Sequence, residues 1–134
     1  MKESERTVQY SSINTAPEHR DVNPKFPEGK TIIHQTLATD PDTGMYVQRT
    51  VYQAGVCPPR HRHTCGHGMY VLSGKLLTDE GEFSPGSFVW WPAGTWMIHG
   101  ATDESDAEVL FITNRPFDLE FEDPSFLEGL PEKP

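Results

Sequence analysis

From residue 31 onward, short stretches rich in β-branched and aromatic residues alternate with turn signals. The turn signals are clusters of Asp, Pro, Ser and Gly at residues 40–44, 79–81 and 84–86. Apolar stretches at a spacing of about ten residues, with no sustained helical period, predict an all-β sandwich or barrel and favour a jelly roll. The predicted strands cover residues 31–38, 45–54, 69–72, 87–91, 95–99 and 108–113.

The two ends of the chain differ in composition from the middle. Residues 1–29 mix charged side chains with Pro and Asn and show no sustained period, so we expect an extended N-terminal arm. Residues 30–121 form the predicted barrel domain. Residues 122–134 are rich in Asp and Glu and are expected to form an acidic, solvated tail.

The overall composition argues against several classes of protein. The 134 residues suffice for one domain with a buried core, and 12 Pro with 11 Gly fit a fold with many turns. A formal net charge of −9 argues against nucleic-acid binding, which needs a basic surface. No stretch is long and apolar enough to cross a membrane, and the N-terminus lacks the apolar region of a signal peptide, so we expect a cytoplasmic protein. Two cysteines, Cys57 and Cys65, do not make a disulfide framework.

Histidines are concentrated in one segment of the predicted barrel. The segment has the form Gly55-(x)5-His61-x-His63-(x)3-His67-(x)6-Gly74. Side chains two apart on a strand project to the same face, so His61 and His63 are able to reach one ion. Neutral imidazole is the common protein ligand for Zn, Fe, Cu and Ni. The spacing therefore predicts a metal site.

The predicted strand at residues 45–54 places an arginine among apolar neighbours. Alternation puts Arg49 on one face of the strand and Gln48 on the other. An inward-facing Arg49 would grip an anionic group with its fork of donors. If the face that carries Gln48 points inward instead, Arg49 lies in solvent. Both orientations stay open, and both residues are candidate substrate contacts.

Two gapped motifs in this order resemble those of the cupin superfamily. The first cupin motif has Glu where this chain has His67, and its other spacings agree. The second is matched by Gly86-(x)5-Pro92-x-Gly94-(x)2-Met97, where the family has His in place of Met97. The resemblance covers roughly residues 30 to 120 and implies a single-domain, RmlC-like cupin barrel, which is a jelly roll of two antiparallel sheets.

The resemblance implies one divalent metal ion bound by His61, His63, His67 and His99. His67 occupies the position of the cupin glutamate. His99 follows Met97 by two residues, so an extended strand or a small bulge would bring it into the cavity. The alternative is that Met97 fills that place. Cys65 continues the alternation of the histidines and would be a good zinc ligand, but its position corresponds to a loop, and we expect it not to bind the metal.

Among cupins, the chain looks most like the small acetylacetone and dihydroxyacetophenone dioxygenases and the cupin domain of ChrR-type anti-sigma factors. That resemblance implies an Fe(II)-dependent oxygenase acting on a small diketone, enol or phenolic ketone. A non-catalytic sensor and a metal-dependent isomerase or lyase remain as alternatives, with Zn, Ni or Mn as the ion. Small cupins commonly dimerise, so we expect a homodimer formed through the arm or an edge strand. The residues predicted to contact substrate are Arg49, Gln48, Tyr70, Trp96 and Met97.

Overall fold

The computed structural model describes residues 7–128 and Leu130, and this part of the chain contains eleven short β-strands. A 3-10 turn at Pro124–Leu127 follows the last strand. The strands are β1 (His19–Asp21), β2 (Ile32–Thr39), β3 (Tyr46–Tyr52), β4 (His61–His63), β5 (His67–Ser73), β6 (Leu76–Thr78), β7 (Gly81–Phe83), β8 (Phe88–Trp91), β9 (His99–Ala101), β10 (Ala107–Thr113) and β11 (Leu119–Phe121).

The strands form three antiparallel sheets. The largest has six strands in the order β1-β2-β3-β10-β5-β8, and the others have the orders β7-β6-β9 and β11-β4. Strand β10 pairs with β3 on one side and β5 on the other. Strands that are far apart in the sequence are therefore neighbours in the sheet, as in a jelly roll. The predicted all-β cupin fold is thereby confirmed.

The core lies between the large sheet and the smaller ones. In β10, alternate residues Ala107, Val109 and Phe111 are buried, while the residues between them are half-buried on the outer face. This alternation is what a strand with one face on a core requires. The inner face of the large sheet packs against Leu76 of β6 and Val56, which precedes β4. The histidines of β4 therefore face the same interior as this core.

One predicted strand lies elsewhere. The stretch at residues 95–99 was predicted to be extended, but the strand in this region is β9, which only begins at His99. Before it, the Thr95 amide bonds the Pro92 carbonyl in a turn, and Met97 makes an isolated bridge with His61. The bridge supplies backbone hydrogen bonds that a longer strand would otherwise provide.

The described part of the N-terminal arm runs beside β2. The Gln9 side chain accepts from the Thr39 amide at 3.0 Å, and the Ser11 hydroxyl donates to the Leu37 carbonyl at 3.0 Å. The Gln35 amide group, which is buried, donates to the carbonyl of Ile13 at 2.8 Å. The arm is thus fixed by side-chain hydrogen bonds. The domain bounds and the homodimer stay predictions, and residues 129 and 131–134 of the acidic tail lie outside the described residues.

Helices of the length and hydropathy that a membrane span needs are absent from the described residues.

Candidate metal centre

Strand β4 places two histidines on the inner side of the barrel. His61 and His63 are 1% and 2% exposed, whereas Arg62 between them points outward to Glu120. The Nδ1 of His61 donates a hydrogen bond to the carbonyl of Pro59 at 2.8 Å. Because Nδ1 carries the proton, Nε2 keeps its lone pair free for a cation.

His99 reaches the same point from β9. Its Nε2 lies 3.2 Å from Nε2 of His61, and its Nδ1 lies 3.0 Å from the hydroxyl of Tyr52. Two nitrogens bound to one ion at about 2.0–2.1 Å are separated by roughly 3.0–3.4 Å, so the observed spacing suits two ligands of one ion. A Cβ at Gly100 would lie 2.5 Å from the Cα of Cys57. Glycine there allows the close approach of β9 that sets the depth of His99.

Three imidazoles converge, and a fourth lies beside them. Ring nitrogens of His61, His63 and His99 lie within 4.8 Å of one another. The ring of His67, the first residue of β5, has its centroid 3.9 Å from that of His63. All four ring nitrogens of His63 and His67 are buried and lack a hydrogen-bond partner. Buried polar groups without partners are costly, and a divalent cation would satisfy one nitrogen of each ring, so this donor set fits a metal ion.

The surroundings of the four histidines keep them neutral. Burial lowers the pKa of His63 to about 2 and that of His67 to about 4, and neighbouring imidazoles contribute to both shifts. Burial also lowers the pKa of His61, and it lowers the pKa of His99 well below the ordinary value. Neutral imidazole is the form that binds a metal, so a cation does not have to displace protons near neutral pH.

The walls of the site are aromatic. The His67 ring stacks on Trp91, with centroids 5.0 Å apart, and on Phe111, with centroids 5.3 Å apart. Phe117 and Phe121, from the C-terminal segment, lie against the rings of β4. A site lined in this way strengthens electrostatic interactions and excludes water.

Two predicted substrate contacts lie on the wrong face of the large sheet. Arg49 pairs with Glu108, and its Nη1 donates to Gln35 Oε1 at 2.8 Å. The opposite face of β3 carries Tyr52 and points to the histidines, which decides between the two orientations that the sequence left open. Tyr70 on β5 is 40% exposed because its side chain alternates with those of the buried Met69 and Val71 and projects from the outer face. Neither Arg49 nor Tyr70 faces the histidine cluster.

Two other predicted contacts have partners of their own. Gln48 is on the inner face of β3, where its Nε2 lies 3.1 Å from Nδ1 of His34. Trp96 stacks with the outward-facing Arg62, whose guanidinium carbon is 4.7 Å from the indole centroid. These contacts give Gln48 and Trp96 partners other than a bound substrate.

His99 and Met97 were the two candidates for the fourth ligand position, and the structure places them differently. Met97 is 1% exposed and belongs to the hydrophobic core, and its backbone exchanges two hydrogen bonds with His61, at 2.8 and 3.0 Å. His99 is the residue whose ring nitrogen joins the convergent group. Cys65 is buried in the bend between β4 and β5 and is outside that group.

Tyr52 is a site residue that motif spacing did not reveal. It is 3% exposed, and burial raises the pKa of its phenol well above the ordinary value, so the hydroxyl stays protonated. Its contact with Nδ1 of His99 orients that imidazole in the way that partners of metal-ligating histidines do. The available signal was its position on the inward-facing side of β3.

Replacing Tyr52 by Phe is expected to weaken metal binding about 10- to 100-fold while the fold is retained, because only the partner of His99 is lost. Competition with a chromogenic chelator measures the affinity. Tyr46→Phe, on the same face of the strand and stacked on Phe111, is the matched control. An unchanged affinity in Tyr52→Phe would show that the hydroxyl does not orient the ligand.

The fold and the site together define the class of the protein: a small cupin whose inward-facing histidines suit a metal ion. Residues 19–118 match the family model described as the ChrR cupin-like domain. The chain belongs to that family. No curated protein matches the chain.

Solved structures of cupins share the fold at low sequence identity. A candidate dioxygenase from Nostoc punctiforme is 20% identical over 82% of this chain and 40% of its own length, with a TM-score of 0.67. The polyketide cyclase RemF from Streptomyces resistomycificus is 16% identical over 87% of each chain, with a TM-score of 0.70. A candidate acetylacetone dioxygenase from Methylibium petroleiphilum is 16% identical over 94% of this chain and 88% of its own, with a TM-score of 0.70. This chain thus spans 40% of the Nostoc protein's length.

Proposed function

We propose that the protein is a metal-dependent oxygenase that acts on a small β-dicarbonyl, enol or phenolic ketone, with Fe(II) as its ion. The observation that carries the proposal is the buried set of neutral imidazoles without a carboxylate among them. Such a set does not cancel the charge of a divalent cation. It therefore favours a substrate that arrives as an anion, such as an enolate.

The chain's own residues would hold and isolate the reacting groups. The Pro59 carbonyl and the Tyr52 hydroxyl hold Nδ1 of His61 and of His99, which would leave Nε2 of each ring to bind the ion. Aromatic walls that include Trp91 and Phe111 exclude water from the bound substrate. A ferrous ion bound there would supply the Lewis-acid and redox chemistry that lets an enolate react with dioxygen.

Two of the structural relatives support the proposal at the level of the fold. The Methylibium and Nostoc proteins are candidate dioxygenases, one of them for acetylacetone, and both share the barrel at 20% identity or less. Cupin barrels host several chemistries, so the substrate class rests on the site rather than on these relatives.

Oxygen consumption by the Fe(II)-loaded protein tests the proposal. We expect uptake of dioxygen that depends on acetylacetone or a dihydroxyacetophenone and is lost in the zinc-loaded protein, because zinc has no redox chemistry. Iron-loaded protein that consumes no dioxygen with any of these compounds would contradict the oxygenase function.

A non-catalytic metal-binding role is the second candidate. The four histidines are at most 4% exposed, and closed sites are characteristic of structural or sensing metals. Zinc in the purified protein, together with no dioxygen uptake after iron loading, would favour this role. A Lewis-acid isomerase or lyase would instead convert substrate without consuming dioxygen.

A further inference from the structure

Residues 117–128 close one side of the histidine cluster, and we call them the strap. Within the strap, β11 pairs with β4 so that Leu119 lies opposite His63 and Phe121 opposite His61. The ring centroid of Phe121 lies 5.4 Å from that of His61, and Phe117 lies 4.9 Å from His63 by the same measure. The histidines behind these rings are almost fully buried. An ion or a substrate reaches them only if part of the wall moves.

The two edges of β4 are held in different ways. On one edge His61 exchanges two hydrogen bonds with Met97, which is 1% exposed and part of the core. On the other edge the Thr64 amide donates to the Asp118 carbonyl at 3.1 Å, and the Glu122 amide donates to the Arg60 carbonyl at 3.0 Å. Opening the first edge would disrupt the core. Opening the second would separate only the strap from β4.

Side-chain contacts across the strap edge are largely exposed to solvent. The Arg62–Glu120 and Arg60–Glu122 ion pairs have partners that are 42% to 62% exposed, and exposed pairs of this kind hold two segments together weakly. Phe117 is itself 41% exposed. The strap therefore has few buried contacts, which is the property of segments that open locally.

The strap is held in place near both of its ends. Pro116 packs where a side chain at Gly44 would lie. At the far end, Phe126 packs on Phe26 with centroids 5.8 Å apart, and its carbonyl accepts from Asn23 at 3.0 Å. Phe126 makes no ring contact with the four histidines, but its ring packs on that of Phe121 with centroids 4.8 Å apart. Its removal would therefore loosen the strap through the ring that covers His61, without changing a histidine. The family match ends at residue 118, so most of the strap lies beyond it.

We propose that the strap separates from β4 as a unit to admit ions and substrates, and that Phe117 and Phe121 determine what passes. Their rings lie directly against the imidazoles, so a substrate that takes their place there needs an apolar surface of its own. Strap opening is a property of the chain alone. The proposal therefore goes beyond the proposed oxygenase function and does not depend on it.

Amide hydrogen exchange in the wild-type protein, followed by NMR, tests the opening directly. We expect the Thr64 and Glu122 amides to exchange at least about tenfold faster than those of His61 and Met97, because strap opening exposes only the first pair. Equal rates for the two pairs would overturn the proposal, since β4 would then lose both edges in one event.

The Phe126→Ala variant tests control of access. We expect exchange at Thr64 and Glu122, and release of bound zinc to a chelator, to accelerate by about tenfold, with His61 and Met97 unchanged. Phe88→Ala, at a 54% exposed position in β8 at the edge of the six-stranded sheet, is the matched control and should change neither rate. Acceleration of all four amides together, or unchanged zinc release, would overturn the proposal. If Phe126→Ala does not fold, the comparison of amide exchange rates in the wild-type protein decides whether the strap opens separately.

Discussion

The His99→Ala variant is expected to lose its metal. Nε2 of His99 lies 3.2 Å from Nε2 of His61, at the separation of two ligands of one ion. Removing an outer partner of a ligand costs about 10- to 100-fold in affinity, and removing the ligand itself should cost more. Elemental analysis after dialysis against a weak chelator should therefore fall from one ion per chain in the wild type to nearly none.

A histidine outside the cluster provides the control for this experiment. His34 bonds to Asp21 at 2.8 Å and lies near Thr50, on the β2 side of the sheet. His34→Ala should keep its full metal content. Metal content unchanged in His99→Ala would remove His99 from the ligand set and reopen the choice in favour of Met97.

Acidification is expected to destabilise the metal-free protein steeply. Unfolded histidines bind protons below their ordinary pKa of 6.5, whereas folded His63 and His67 have pKa values of about 2 and about 4. The unfolded state therefore binds more protons throughout this window, and the free energy of unfolding falls as the pH falls below 6.5. Each such histidine costs up to about 1.4 kcal/mol per pH unit, and because the unfolded histidines are only half-protonated at about pH 6.5, these two remove about 3 kcal/mol between about pH 6.5 and about pH 5.

Urea unfolding of the metal-free protein across this range measures the effect. In a His63→Asn variant the slope of stability against pH should decrease by about 1.4 kcal/mol per pH unit, since one fewer proton binds on unfolding. A free energy of unfolding that stays level from pH 7 to about pH 5 would contradict the buried, neutral state of the cluster.

Much of the fold was predictable because period-two alternation and turn signals are local. Strands β2, β3, β5, β8 and β10 lie where these patterns predicted them. Strand β9 was misplaced because its residues, His99, Gly100 and Ala101, have little intrinsic strand preference. They are extended because β9 pairs with β6 and because the Ala101 amide donates to the carbonyl of Val56 at 2.9 Å, which are contacts between residues distant in the sequence.

The candidate site was predictable only in part, because some of its contacts join residues that are far apart in the sequence. The spacing of His61 and His63 places both on one face of a strand, which is a local property. The role of Tyr52 depends on a contact 47 positions along the chain, and the strap depends on pairing between segments about 58 residues apart. Arg49 was ambiguous because both faces of β3 mix polar and apolar residues. Only the pairing of β3 with its neighbours decides which face turns inward.

Anomalous diffraction from crystals of the metal-loaded protein tests the central claim most directly, which is that the histidine cluster binds one divalent ion. We expect a single peak about 2.0–2.2 Å from ring nitrogens of His61, His63 and His99, with His67 beside it. A loaded crystal in which the cluster shows no peak, or in which the ion lies on other residues, would contradict the account.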